Sequence, residues 1–202
     1  MALELTYFSG PEAIGQKRFQ TRRDRFFAPL ARRTPRFITP VRVTGVSAAL
    51  LLGFVFYAFS APVYALMFLI AHVGFDAFDG ALARTRGVAH NGGALLDMLN
   101  DHTGFVVVTL ILAIQGLMDA TLGIIYVYTY TLLVTLLIAR NALGIPPRFT
   151  ARSKYVLFAL YGVWVFTGFT LFNLLVLVMI PITLVLIAID IRALYKALKH
   201  VS

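Results

Sequence analysis

Apolar residues run along this chain in six blocks, with the polar residues gathered between them. The blocks are roughly 43–60, 62–84, 93–117, 119–143, 153–171 and 174–195. A helix needs about 20 consecutive apolar residues to cross a bilayer core. The pattern therefore predicts six transmembrane helices. The links are short, so the spans are expected to form one compact antiparallel bundle. No long internal repeat or low-complexity linker interrupts them.

The stretch before the first block has a different pattern. Residues 9–37 read SGPEAIGQKRFQTRRDRFFAPLARRTPRF, with arginines interleaved among Phe, Ile and Leu. Ser9 and Glu12 have capping-box spacing, and Pro11 suits a first helical turn. Pro29 and Pro35 are expected to end or bend the helix that follows. A basic segment with an apolar face predicts a helix lying on an anionic membrane surface. Directly before a span, its partner is expected to be lipid headgroups and not nucleic acid. The first 40 residues lack the short apolar stretch and cleavage site of a signal peptide. The expected fold is thus all-α. Residues 1–42 form a basic N-terminal segment with an amphipathic interfacial helix, and 43–202 form a six-span domain.

Composition supports the membrane reading. Hydrophobic residues are 59% of the chain and charged residues 13%, against roughly 45–50% and about 25% in soluble domains. The absence of cysteine excludes disulfides and thiolate metal sites.

Charge adds an orientation. All 18 Lys and Arg residues fall before or at the start of the first span, in the second–third and fourth–fifth links, or after the sixth span. None lies near residues 60, 118 or 172. An even number of spans puts every basic segment on one side. The positive-inside rule makes that side cytoplasmic, with both termini.

The acidic residues are concentrated in the opposite way. Only nine occur, and Asp76, Asp79, Asp97 and Asp101 lie within GFDAFDGALARTRGVAHNGGALLDMLND, residues 74–101. Spacings of three and four put each pair on one helix face. Gly87 and Asn91-Gly92 between the pairs are turn formers, so two antiparallel helices can bring the carboxylates together. A carboxylate at a bilayer centre costs about 2.5–3.5 kcal/mol. Salt bridges to Arg84 and Arg86 would account for one or two of the four. Four converging acids point instead to divalent cations, and oxygen ligands suit Mg²⁺ or Mn²⁺. A carboxylate-held metal pair suits phosphoryl chemistry.

The pattern Asp76-x2-Asp79-Gly80-x2-Ala83-Arg84-x8-Gly93-x3-Asp97-x3-Asp101 resembles, at all eight specified positions, the signature of the CDP-alcohol phosphatidyltransferases. The resemblance implies that Asp76, Asp79 and Asp97 hold the metals and the CDP diphosphate. It implies that Asp101 is the base and a further metal contact, and that Gly80, Ala83, Arg84 and Gly93 line the nucleotide site. The implied reaction moves a phosphatidyl group from a CDP-linked lipid of the CDP-diacylglycerol type to a small polar alcohol and releases CMP. Two Mg²⁺ or Mn²⁺ ions are the implied cofactors, and a homodimer the implied assembly.

The acceptor is read from less. Arg140, Arg152 and Lys154 flank the link between the fourth and fifth spans. They offer either a cationic pocket for an acceptor phosphate or simple positive-inside charge. Glycerol 3-phosphate comes first on the former reading, with inositol phosphate and serine as alternatives. His102 stands where family members that accept those phosphates often carry Lys or Arg. His90 and His102 read as polar loop or site-edge residues. Tyr126, Tyr128 and Tyr130 read as packing or anchoring residues, and Asp190 with Arg192 as a brace at the end of the last span. Pro181 is expected to kink that span. A transporter with intramembrane acids is the rival class, but it would scatter such acids or show repeated halves. An intramembrane prenyltransferase, by resemblance, would have more spans and two separate aspartate motifs.

Overall fold

A computed structural model describes residues 11–145, 147, 149 and 153–199, with side chains from residue 21 onward. The described residues are all-α. The helices are α1 (Pro11–Arg33), α2 (Pro40–Tyr57), α3 (Pro62–Thr85), α4 (Asn91–Ile114), α5 (Ala120–Ala142), α6 (Lys154–Thr167) and α7 (Phe172–Lys199).

Five of them, α2, α3, α4, α5 and α7, are long and apolar enough to cross a membrane. The fifth expected span is shorter than its apolar run. α6 has 14 residues, about 21 Å at 1.5 Å per residue, against a hydrocarbon core of about 30 Å. The helix stops where Gly168 takes φ +73° and its N–H bonds to the Trp164 carbonyl. Glycine is the residue that adopts this left-handed end without strain.

The chain forms two compact units, one of Gly15–Val107 and one that takes in α5, α6 and α7. In the first, α2 and α3 lie so close that a Cβ on Gly53 would fall 2.4 Å from the Phe68 ring. Val43, Phe78 and Leu82 form a core with Ala31 of α1, and Phe27 packs against it. The Phe27 and Phe78 ring centroids are 5.7 Å apart. The outer surface is apolar too: Leu52 is 71% exposed and Phe56 75%. Such a surface suits hydrocarbon and not water.

α1 is continuous at one of its two prolines and stops short of the other. The helix begins at Pro11, but it continues through Pro29 and ends at Arg33, two residues before Pro35. The residue before a proline is disfavoured in helical conformation, so the second proline marks the boundary. Ser9 lies outside the described residues. Phe26 is 77% exposed, beside exposed Arg22 and Arg25, while Phe27 and Ala31 face inward.

In the second unit, Leu133, Leu137 and Ile187 pack α5 against α7. Tyr126 and Tyr130 are buried and Tyr128 is exposed, as a helical repeat requires. Asn173 accepts a 2.8 Å hydrogen bond from the Asp119 N–H, and Asp119 caps α5 through the Leu122 N–H. The helix α7 runs unbroken through Pro181.

Candidate active site

The four aspartates divide between the cytosol-facing end expected of α3 and the first turns of α4. α4 starts cleanly because the His90 ring accepts a 3.1 Å hydrogen bond from the Gly93 N–H, satisfying a donor that a helix start leaves open. His90 is therefore a cap. Asp76 and Asp79 are buried; Asp97 and Asp101 are partly exposed.

Asp76, Asp79 and Asp97 each place one carboxylate oxygen within 4.8 Å of the other two. Two ionised carboxylates at that distance repel by about 3 kcal/mol, at an effective dielectric constant of about 20. Three such pairs are not a stable arrangement by themselves. Asp101 also lies within electrostatic range of Asp79.

The arginines expected to neutralise them are engaged elsewhere. Arg84 donates to both carboxylate oxygens of Asp24 on α1, at 2.8 and 2.7 Å. Arg86 donates to the backbone carbonyls of Ile38, Thr34 and Pro35, at 2.6, 2.8 and 3.0 Å. Arg86 thus ties the link before α2 to the end of α3.

Neutral donors hold the aspartates instead. Thr44 of α2 donates a 2.5 Å hydrogen bond to Asp79 Oδ2. The amide of Asn100 donates a 2.8 Å bond to Asp76 Oδ1. Asp79 Oδ1 is buried and has no hydrogen-bond partner. A buried carboxylate oxygen without a donor is unfavourable, and a cation satisfies it. Mg²⁺ takes oxygens at about 2.0–2.1 Å, so two ligands of one ion lie within roughly 4.2 Å. The aspartate cluster is a few tenths of an ångström per ligand from that spacing, and the donor set is all oxygen. The residues fit a hard divalent ion.

The positions expected to line the nucleotide site fall beside this cluster. A Cβ on Gly80 would lie 3.1 Å from an Arg84 guanidinium nitrogen and 3.5 Å from one of Arg23. The glycine leaves room where two guanidiniums meet. Arg23 Nε is buried without a hydrogen-bond partner, and Arg23 also acts electrostatically on Asp79. Ala83 and Gly93 are partly exposed, Gly93 beside the His90 ring. His102 packs near the Phe105 ring, with centroids 6.1 Å apart.

The expected acceptor residues belong to the other unit. Arg140 is buried and forms an ion pair with Asp190, also buried, and donates from Nε to the Ile145 carbonyl at 2.9 Å. Lys154 is buried, its Nζ 4.6 Å from the Tyr155 ring centroid. Arg152 lies outside the described residues.

Sequence reading missed Arg23, Asp24, Thr44 and Asn100. Thr44 and Ser47 are polar residues three apart in an apolar run, a spacing that marks one polar helix face. That signal was present. Nothing comparable distinguishes Arg23 and Asp24 from the other charges of α1.

A comparison with curated proteins finds no significant match. The family model for CDP-alcohol phosphatidyltransferases, in contrast, matches residues 33–191, which take in α2 to α6 and most of α7. With the aspartate pattern complete and most of the chain covered, the protein belongs to the CDP-alcohol phosphatidyltransferase family, membrane enzymes of phospholipid synthesis.

Proposed function

We propose that the protein transfers a phosphatidyl group from a CDP-diacylglycerol-type lipid to a small polar alcohol, using Mg²⁺ or Mn²⁺, and releases CMP. The observation that carries this reading is the convergence of Asp76, Asp79 and Asp97, together with a buried, unpartnered oxygen on Asp79. Those three residues, with Asp101, would hold two ions. Bound there, the ions would supply positive charge against the diphosphate and its leaving group.

The chain's own residues do the rest. Arg84 and Arg23, meeting over Gly80, bind and orient the diphosphate. Ala83 and Gly93 leave space for the nucleotide. Asp101 takes the proton of the acceptor hydroxyl, whose oxygen attacks the lipid-side phosphorus. A new P–O bond forms as the P–O bond to CMP breaks, and CMP leaves with that electron pair. Positioning and charge neutralisation account for most of the rate gain in such a displacement.

The acceptor in this reading is glycerol 3-phosphate, then inositol phosphate, with serine as the unphosphorylated rival. An anionic acceptor at an aspartate site needs compensating positive charge, for which the sequence offers Arg140, Arg152 and Lys154. Arg140 is already bonded to Asp190 and the Ile145 carbonyl, so it steadies the link, and phosphate recognition rests on Arg152 and Lys154. α6 completes an even number of crossings, with the bilayer thinned around it. The basic helix ends then all face the cytosol, and the active unit is a homodimer.

The test is CMP release by purified protein from CDP-diacylglycerol, with and without divalent metal, with glycerol 3-phosphate, inositol phosphate, inositol and serine in competition. Metal-dependent release is expected. Release unaffected by chelation sinks the reaction, and preference for inositol or serine sinks the acceptor.

A further inference from the structure

Behind Asp76 lies a buried chain of hydrogen bonds that no part of the reaction uses. Asn100 Nδ2 donates to Asp76 Oδ1 at 2.8 Å and to Ser47 Oγ at 3.0 Å. Ser47 Oγ lies 3.0 Å from the His72 carbonyl and 2.9 Å from His72 Nδ1. His72 Nδ1 is 3.0 Å from the Ser47 carbonyl. Ser47, His72, Asp76 and Asn100 are all buried.

The proton positions in this chain follow from which atoms can only accept. A backbone carbonyl accepts, so His72 Nδ1 carries a proton toward Ser47. The His72 carbonyl likewise takes the single proton of the Ser47 hydroxyl. That leaves the Ser47 oxygen to accept from Asn100. The Asn100 nitrogen has two protons, one for Ser47 and one for the carboxylate; with its amide turned over, an oxygen would face Asp76. Each group therefore has one role, and Asn100 has one orientation.

We propose that Asn100, anchored by Ser47 and His72, is a positioning residue that holds the Asp76 carboxylate in its cation-binding orientation. The inference rests on the metal reading above. The amide fixes rotation of the carboxylate, and it does so without bringing a positive charge. An arginine in its place would orient Asp76 but also neutralise it and compete with the ion. Neutral partners behind a metal ligand preserve its affinity, and losing one typically weakens binding 10–100-fold.

Local geometry keeps the anchor in place. Asn100 shares a turn of α4 with Asp97 and Asp101, so the same turn supplies ligands and support. One turn later stands Gly104, where a Cβ would fall 2.7 Å from His72 Nε2. The missing side chain makes room for the imidazole that anchors Ser47.

Two variants of the full chain in detergent test this. Asn100→Leu keeps the branched shape, though with bulkier methyl groups, and removes both donors. Ser47→Ala removes the anchor and leaves the Asn100–Asp76 bond. Mn²⁺ binding is followed by electron paramagnetic resonance without nucleotide, and thermal unfolding is followed in chelator. Asn100→Leu is expected to bind Mn²⁺ about tenfold or more weakly, and Ser47→Ala roughly threefold. Raised Mn²⁺ should restore much of the turnover of both. A purely structural contact would lower the unfolding temperature and leave Mn²⁺ affinity alone. Affinity of Asn100→Leu within twofold of wild type overturns the proposal; if that variant does not fold, unchanged affinity in Ser47→Ala does so. Wild-type protein that binds no Mn²⁺ sinks the metal reading itself, a separate result.

Discussion

Arg84 grips Asp24 with two parallel hydrogen bonds across 60 residues of sequence, fastening the basic first helix to the end of α3. The proposed nucleotide contact is thereby held by a residue of α1. Replacing Asp24 with Ala should release Arg84. Both side chains are about 30% exposed, so the pair is worth about 1 kcal/mol. The KM for the CDP-lipid should rise about fivefold with kcat little changed. A lower KM would mean that Asp24 shields Arg84 from substrate.

Asp97→Asn and Asp101→Asn should each reduce turnover by at least about 100-fold, for different reasons. The first removes a carboxylate from the cluster, so its remaining activity should need more metal. The second removes the proposed base, so CDP-lipid binding should persist in equilibrium measurements. Near-normal turnover in either variant would rule out the assigned roles.

Metal should stabilise the protein measurably. At 100 times its dissociation constant, an ion that binds only the folded state contributes about 2.7 kcal/mol. Mn²⁺ should therefore raise the unfolding temperature of wild type above its value in chelator. Asp79→Asn should abolish that difference. Thr44→Val, which removes the hydrogen bond to Asp79, should shrink it. An equal shift in all three proteins would place the ion elsewhere.

The buried Arg140–Asp190 pair should be sensitive to losing one partner. Asp190→Ala strands a buried guanidinium and should cost about 3–5 kcal/mol. A double replacement, Arg140→Met with Asp190→Leu, should recover most of that. If the single and double variants unfold at the same temperature, the pair does not hold α5 to α7.

Thr170 lies exposed in the short link between α6 and α7, and the chain has no native cysteine. Thr170→Cys should react with an impermeant thiol reagent on intact cells. The neighbouring Asn173 is a poorer probe, because its side chain holds the Asp119 N–H. Reaction only after lysis would reverse the orientation.

The aspartates and the five long helices were legible because their signals are local. A carboxylate three or four residues from another must share its helix face, and a run of 20 apolar residues has few other uses. The partners of those aspartates were not legible. Asn100 finds Ser47 from 53 residues away, and Arg84 passes over four aspartates nearer in sequence for Asp24. Helix packing makes these choices, and no spacing rule encodes them. The end of α6 lay between the two cases: Gly168 was visible, but the apolar residues on either side hid the stop.

The close approach of α2 and α3 at Gly53 sets a tolerance for chemistry some distance away. Thr44 lies nine residues before Gly53, about 13.5 Å along the helix, and Ser47 lies between them. Both touch α3, at Asp79 and His72. A methyl group at position 53 would have to displace the Phe68 ring, which is stacked on Tyr57, or force the two helices apart. Hydrogen bonds of 2.5–3.0 Å do not survive an ångström of added separation. The empty space of one hydrogen atom at residue 53 thus gauges how closely α2 can hold a carboxylate that it never meets.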